Sequence, residues 1–182
     1  VIASFMAGLA IGGKLFGKIA DARPKQGLFL YGLLELTVAV YAALFPIVLH
    51  LIEPAYAAAH GRWRDDFMML SAVRAALAFA VLVVPTTLMG GTLPLLARFL
   101  AVSGDDAGYK ASRLYTLNLF GAAAGSLATG YVLLELLGVR GATYTAVVVN
   151  VCIFAVVLRD PRGLVWRGSG PASQACASPA AS

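Results

Sequence analysis

The hydrophobic positions of this chain come in long unbroken runs rather than in alternation. Five runs stand out, over residues 1 to about 20, 27 to 51, 67 to 100, 109 to 137 and 139 to 158. A membrane-crossing helix needs about 20 mostly apolar residues, and each run approaches or exceeds that length. A transmembrane β-strand would instead alternate over about ten residues, which these runs do not do. The pattern predicts an all-α polytopic transmembrane bundle over 1–158 with five helices visible. An Ala/Ser/Pro-rich tail follows over 159–182. The third run contains "PTTLMGGTLP", in which Pro85, Gly90, Gly91 and Pro94 predict a helix break or kink. Proline removes a backbone donor and crowds the preceding turn, and paired glycines loosen the helix further.

Composition strengthens the membrane reading. Hydrophobic residues make up 60% of the chain and charged residues 13%, against about 45–50% and 25% in soluble domains. Mean hydropathy is +0.82. A soluble domain of this size keeps too much exposed area to hide so much apolar surface. The net charge of +5 refines topology, because cytoplasmic loops collect Lys and Arg. The successive connections hold Lys18, Arg23 and Lys25; Arg62 and Arg64; Arg98, Lys110 and Arg113; Arg140 alone; then Arg159, Arg162 and Arg167. Basic-rich and basic-poor segments alternate. The first turn, the third connection and the C-terminal tail are therefore expected in the cytoplasm. The opening run has no basic leader of the kind a signal peptide carries, and a further helix upstream is expected, making six. Without a basic patch interleaved with aromatics, nucleic-acid binding is rejected. The expected partners are membrane lipid and other membrane protein chains. The second connection, "EPAYAAAHGRWRDD", suits a short interfacial helix with Tyr56 and Trp63 at the membrane surface. The tail has too little apolar content to fold alone.

Charged groups inside an apolar run are costly unless paired or wet. Glu35 and Arg74 lie about eight and seven residues into the second and third runs, from opposite ends, at depths of roughly 12 and 10 Å. An intramembrane Glu35–Arg74 pair is the reading chosen, with Arg74 snorkelling outward or a substrate or proton site as alternatives. Small residues four apart, Gly8 with Gly12, Gly13 with Gly17 and Gly121 with Gly125, mark helix contact faces. Tyr115, Asn118, Gly121 and Gly125 form a predicted packing seam, in which Asn118 bonds to a neighbouring helix. Lys14 and Lys18 read as snorkelling residues, and His50 as interfacial. Cys152 and Cys176 lack ligand-spaced neighbours, so neither a metal site nor a disulfide is expected. No nucleotide-binding, zinc-hydrolase or serine-hydrolase motif appears, and no cofactor is expected.

Four stretches occur in a telling order: "FMAGLAIGGKLFGKIADARPK", "LYGLLELTVAVYAALFP", "PTTLMGGTLPLLARFL" and "RLYTLNLFGAAAGSLATGYVLLELLGVRG". Together they resemble the membrane domain of bacterial spermidine synthase-like proteins, in which a membrane bundle precedes a cytoplasmic aminopropyltransferase-like domain. The resemblance spans residues 1 to about 158 and implies a cytoplasmic C-terminus and a bacterial inner-membrane location. The turn with Gly17, Asp21, Arg23 and Lys25 also bears a weaker likeness to the cytoplasmic turn of a major facilitator half-bundle. The soluble synthase domain has no counterpart in these residues, so no catalytic residue carries over. Glu135 stands where the family pattern leads one to expect proline. The resemblance implies a non-catalytic anchor or accessory subunit of a larger membrane assembly. Its rivals are a transporter-type half-bundle for a small solute such as a polyamine, and the membrane part of a longer fused aminopropyltransferase. Glu35 is the only acid expected well inside the bilayer, and that is a poor start for a cation pathway.

Overall fold

The computed structural model describes residues 2–23, 26–63, 66–101 and 107–160. These are almost wholly helical: α1 (Ile2–Ala22), α2 (Gly27–Arg62), α3 (Phe67–Ala101), α4 (Ala107–Ala128), a π-helical turn (Thr129–Leu133) and α5 (Leu134–Arg159). Four helical runs are long and apolar enough to cross a membrane, the last of them Gly108–Arg159. They are compatible with an integral membrane protein. The expected boundary inside that last run falls at Gly138, whose backbone (φ 65, ψ −177) interrupts the helical path. Lys25, the acidic pair Asp105 and Asp106, and the tail from residue 161 lie outside the described residues.

One helix is much longer than the sequence suggested. α2 runs 36 residues without a break, carrying Pro46 and Pro54, where a span ending near Leu51 and a separate interfacial helix were expected. A proline deletes one backbone bond, and the Ala-rich stretch 55–59 that follows favours helix strongly enough to continue it. At about 1.5 Å per residue, α2 is roughly 54 Å long, well beyond a hydrocarbon core of about 30 Å.

The core lies where α1, α2, α3 and α5 meet. Ala20, Leu34 and fully buried Leu95 form one cluster, with Phe16, Leu30, Tyr31 and Leu88 against it. Leu28, Phe99 and Val157 form a second, and Tyr31 touches both. α1 packs along α3, while α2 packs against both α3 and α5. The α1–α3 contact is close because glycines line it. A Cβ on Gly12 would stand 2.8 Å from the Thr87 carbonyl carbon and 3.1 Å from Gly90 Cα. One on Gly90 would stand 2.8 Å from Leu9 Cα. Gly27 and Gly32 play the same part on α2, where added Cβ atoms would reach 2.8 Å from Leu95 O and 2.9 Å from a Val157 methyl.

Of the break or kink expected at Pro85–Pro94, the break does not occur. α3 is continuous from Phe67 to Ala101, and Gly90 and Gly91 are contact points for α1 rather than a loosened joint. Gly91 faces the Phe16 ring. Pro85 and Pro94 both lie inside the helix, and the carbonyl that Pro85 frees finds a new donor in a neighbouring side chain, one of the ways in which apolar helices tolerate proline.

Candidate functional site

Pro85 has no N–H, so the carbonyl four residues before it, Val81 O, loses its helical donor. The Tyr41 hydroxyl of α2 donates to that carbonyl at 2.8 Å. Thr86 and Thr87 donate back to the carbonyls of Leu82 and Val83, each at 2.6 Å. Tyr41 was not singled out from sequence. The available signal was Pro85 itself, which announces an orphan at Val81 without naming its donor. Removing the hydroxyl is expected to cost about 0.6–2 kcal/mol, the range for interhelical bonds in membranes. The check is Tyr41→Phe against exposed Tyr144→Phe, comparing unfolding free energies in mixed micelles titrated with dodecyl sulfate. Equal values would show that Val81 gains nothing from Tyr41.

The expected Glu35–Arg74 pair is not formed. Glu35 is half-buried on α2, one turn after Tyr31. Arg74 is exposed and donates from Nε and Nη2 to the Tyr56 hydroxyl at 3.0 and 2.6 Å. Its guanidinium also lies 5.5 Å from the centre of the Tyr56 ring. The reason is register. The antiparallel α2–α3 pair sets Gly27 beside Leu95, Tyr41 beside Val81 and Tyr56 beside Arg74. Glu35 is thus level with about residue 88, roughly 21 Å along the axis from Arg74. Depths counted inward from Phe67 misplace Arg74, because the first two turns of α3 pair with the extension of α2.

The predicted seam also lacks its expected neighbour. Tyr115 and Asn118 are exposed, and a Cβ added to Gly121 or Gly125 would meet nothing within 4 Å. Of residues 108–133 all but Lys110, Leu114 and Leu133 are exposed, although α4 does contact α3. Of the expected contact faces, the Gly8–Gly12 pair packs against α3, whereas Gly121 and Gly125 meet no neighbouring helix. After Gly138, α5 turns to pack on α2 rather than beside α4.

At the α1 turn, Asp21 pairs with Arg98 at 2.5 Å, both half exposed. The Arg23 amide donates to Ile19 O, and a Cβ on Gly17 would meet open space. The Asp21–Arg98 pair fastens α1 to the end of α3. On the far end, His50 and Glu53 pair at 3.2 Å on the surface of α2. Among the described residues no group of three or more His, Cys, Asp or Glu is placed to hold a metal. Cys152 is a free, exposed thiol.

Among the described residues, the polar geometry thus includes the latch at Val81, the Asp21–Arg98 and His50–Glu53 pairs, the Arg74–Tyr56 unit and an exposed amide at Asn118. Comparison with family models, with curated proteins and with solved structures finds no match to this chain.

Proposed function

We propose that this chain is a non-catalytic membrane module that serves as an anchor or accessory subunit in a larger membrane assembly. The observation that carries this reading is the uncovered face of α4, with Asn118 exposed in it. An amide carries two donors and an acceptor. Facing hydrocarbon with none of them satisfied costs several kcal/mol, and helix partners in lipid are drawn to small residues and bridging amides. Gly121 and Gly125 offer such a partner close approach. The interacting surface is thus a helix of another membrane chain.

In this reading the run Gly108–Arg159 makes two crossings rather than one. It holds 52 residues, about 78 Å of helix if straight, more than twice the hydrocarbon thickness. Gly138 divides it into the fourth and fifth of the five spans. The alternation of basic residues supports a cytoplasmic C-terminus, and the four quoted stretches support kinship with the bacterial spermidine synthase-like membrane domains of the inner membrane. A transport pathway is less well supported, because Glu35 is the one acid expected well within the apolar part of the described spans, a poor start for a cation pathway.

A photo-activated cross-linker placed at position 118 in native membranes tests the assembly. Irradiation is expected to yield a protein adduct heavier than the 18.9 kDa chain, and Gly121→Leu is expected to abolish it while leaving the thermal midpoint in detergent unchanged. Lipid adducts alone would sink the proposal.

A further inference from the structure

We infer that Arg74, held by Tyr56, binds the phosphate of a phospholipid headgroup. The inference rests on the chain's crossing a membrane and is independent of its family or partner. Residues 75–97 of α3 contain no charged side chain. At 1.5 Å per residue these 23 positions span about 34 Å, close to the hydrocarbon thickness of about 30 Å. Arg74 and Arg98 bound that stretch, so each guanidinium stands at one headgroup level. The two ends differ in how the charge is met. Arg98 has the Asp21 carboxylate. Among the described residues, Arg74 has no carboxylate within ion-pairing distance. Glu53 is engaged by His50, and Asp66 Oδ1 accepts from the Met69 amide at 3.0 Å.

Tyr56 fixes the guanidinium but cannot neutralise it. Its hydroxyl accepts from Nε and Nη2, and its ring lies beneath the cation. A guanidinium carries five N–H donors in a planar fork. The donors not directed at Tyr56, including both on Nη1, remain on an exposed side chain. The two non-bridging oxygens of a phosphodiester match that fork in spacing and charge. At this depth a phospholipid supplies such a group from every side. Neighbouring Tyr56, His60 and Trp63 are amphipathic rings of the kind that settle at the same level, with Tyr56 and His60 centroids 6.2 Å apart. The site is a pre-oriented arginine, with the tyrosine reducing the rotamer freedom lost on binding.

The experiment titrates the full chain in non-ionic detergent with phosphatidylglycerol and counts bound lipids by native mass spectrometry. One lipid is expected to be retained by the wild type and to bind about tenfold more weakly to Arg74→Gln, the scale of a charge-assisted bond. Arg74→Lys keeps the charge but not the fork and is expected to fall between them. Tyr56→Phe removes the orienting bond and is expected to weaken binding without changing the thermal midpoint. Should Arg74→Gln fail to fold, Arg74→Lys and Tyr56→Phe carry the test. Equal lipid affinity across the folded variants would overturn the inference. Displacement of the lipid by millimolar inorganic phosphate would overturn it too, by showing a site for a soluble anion instead.

Discussion

Gly12→Ala is expected to destabilise the protein by about 1–3 kcal/mol, the scale of overpacking a tight contact, while Gly17→Ala on the same helix leaves it unchanged or slightly stabilised. Both substitutions exchange glycine for alanine inside α1, and both should gain about 1 kcal/mol of helix propensity. Their surroundings decide the sign. At Gly17 an added methyl meets open space. At Gly12 it enters the α3 backbone, with the Thr87 carbonyl carbon at 2.8 Å and Gly90 Cα at 3.1 Å. Backbone atoms cannot rotate aside as a flexible side chain can, so α1 must move away from α3. Separation forfeits contacts along the whole crossing, because dispersion falls off within a fraction of an ångström. It also draws Phe16 away from Gly91 and Ala20 away from Leu95. Hydrophobic attraction cannot compensate in lipid, where tails are as apolar as the helix faces. Gly12→Leu should go further and abolish the folded species in detergent. The measurement is the unfolding free energy of the three variants in dodecyl sulfate-titrated micelles. A Gly12→Ala value at or above that of Gly17→Ala would mean that the α1–α3 contact is looser than described.

How much of this could be read from the residues alone turns on which interactions are local. The long apolar runs announced the helices, since an apolar stretch that alternates with nothing has few other ways to satisfy its backbone in lipid. The glycine spacings pointed to contact faces on α1 and α4, and only the one on α1 is filled within the chain. Spacing carries no information about which face meets which, and so Gly8–Gly12 and Gly121–Gly125 looked alike. The Glu35–Arg74 expectation failed for a related reason. It required the axial register of two helices, which depends on where each one ends, and α2 continues to Arg62 past Pro54. Once Tyr56 is set beside Arg74, the pairing is local to one level and follows from chemistry. The latch from Tyr41 to Val81 was half legible. Pro85 fixes the position of the orphaned carbonyl, and only the fold supplies the hydroxyl.

The second large effect is expected at Gly138. Its φ of 65 with ψ of −177 lies in a region open essentially to glycine alone. A side chain there costs on the order of 1–3 kcal/mol if the backbone holds its course. The alternative open to an alanine is to turn helical, which relieves the strain and recovers about 1 kcal/mol of propensity. That escape would fuse the segment before Gly138 to the one after it and redirect the rest of α5. The redirected segment carries Val157, which is buried with Leu28 and Phe99 and stands 2.9 Å from the position of an added Cβ on Gly32. Either route therefore loses stability, one through strain and the other through the α2–α5 contact. Gly138→Ala should lower the unfolding free energy by at least about 1 kcal/mol, whereas Gly130→Ala, a few residues earlier at a helical φ with nothing within 4 Å, should not lower it. The two routes separate on a second measurement. A dipolar distance between spin labels at positions 120 and 152 stays at its wild-type value if the strain is borne and lengthens if the helix straightens. Unchanged stability together with an unchanged distance would show that the turn does not depend on glycine, and the division of residues 108–159 into two crossings would lose its hinge.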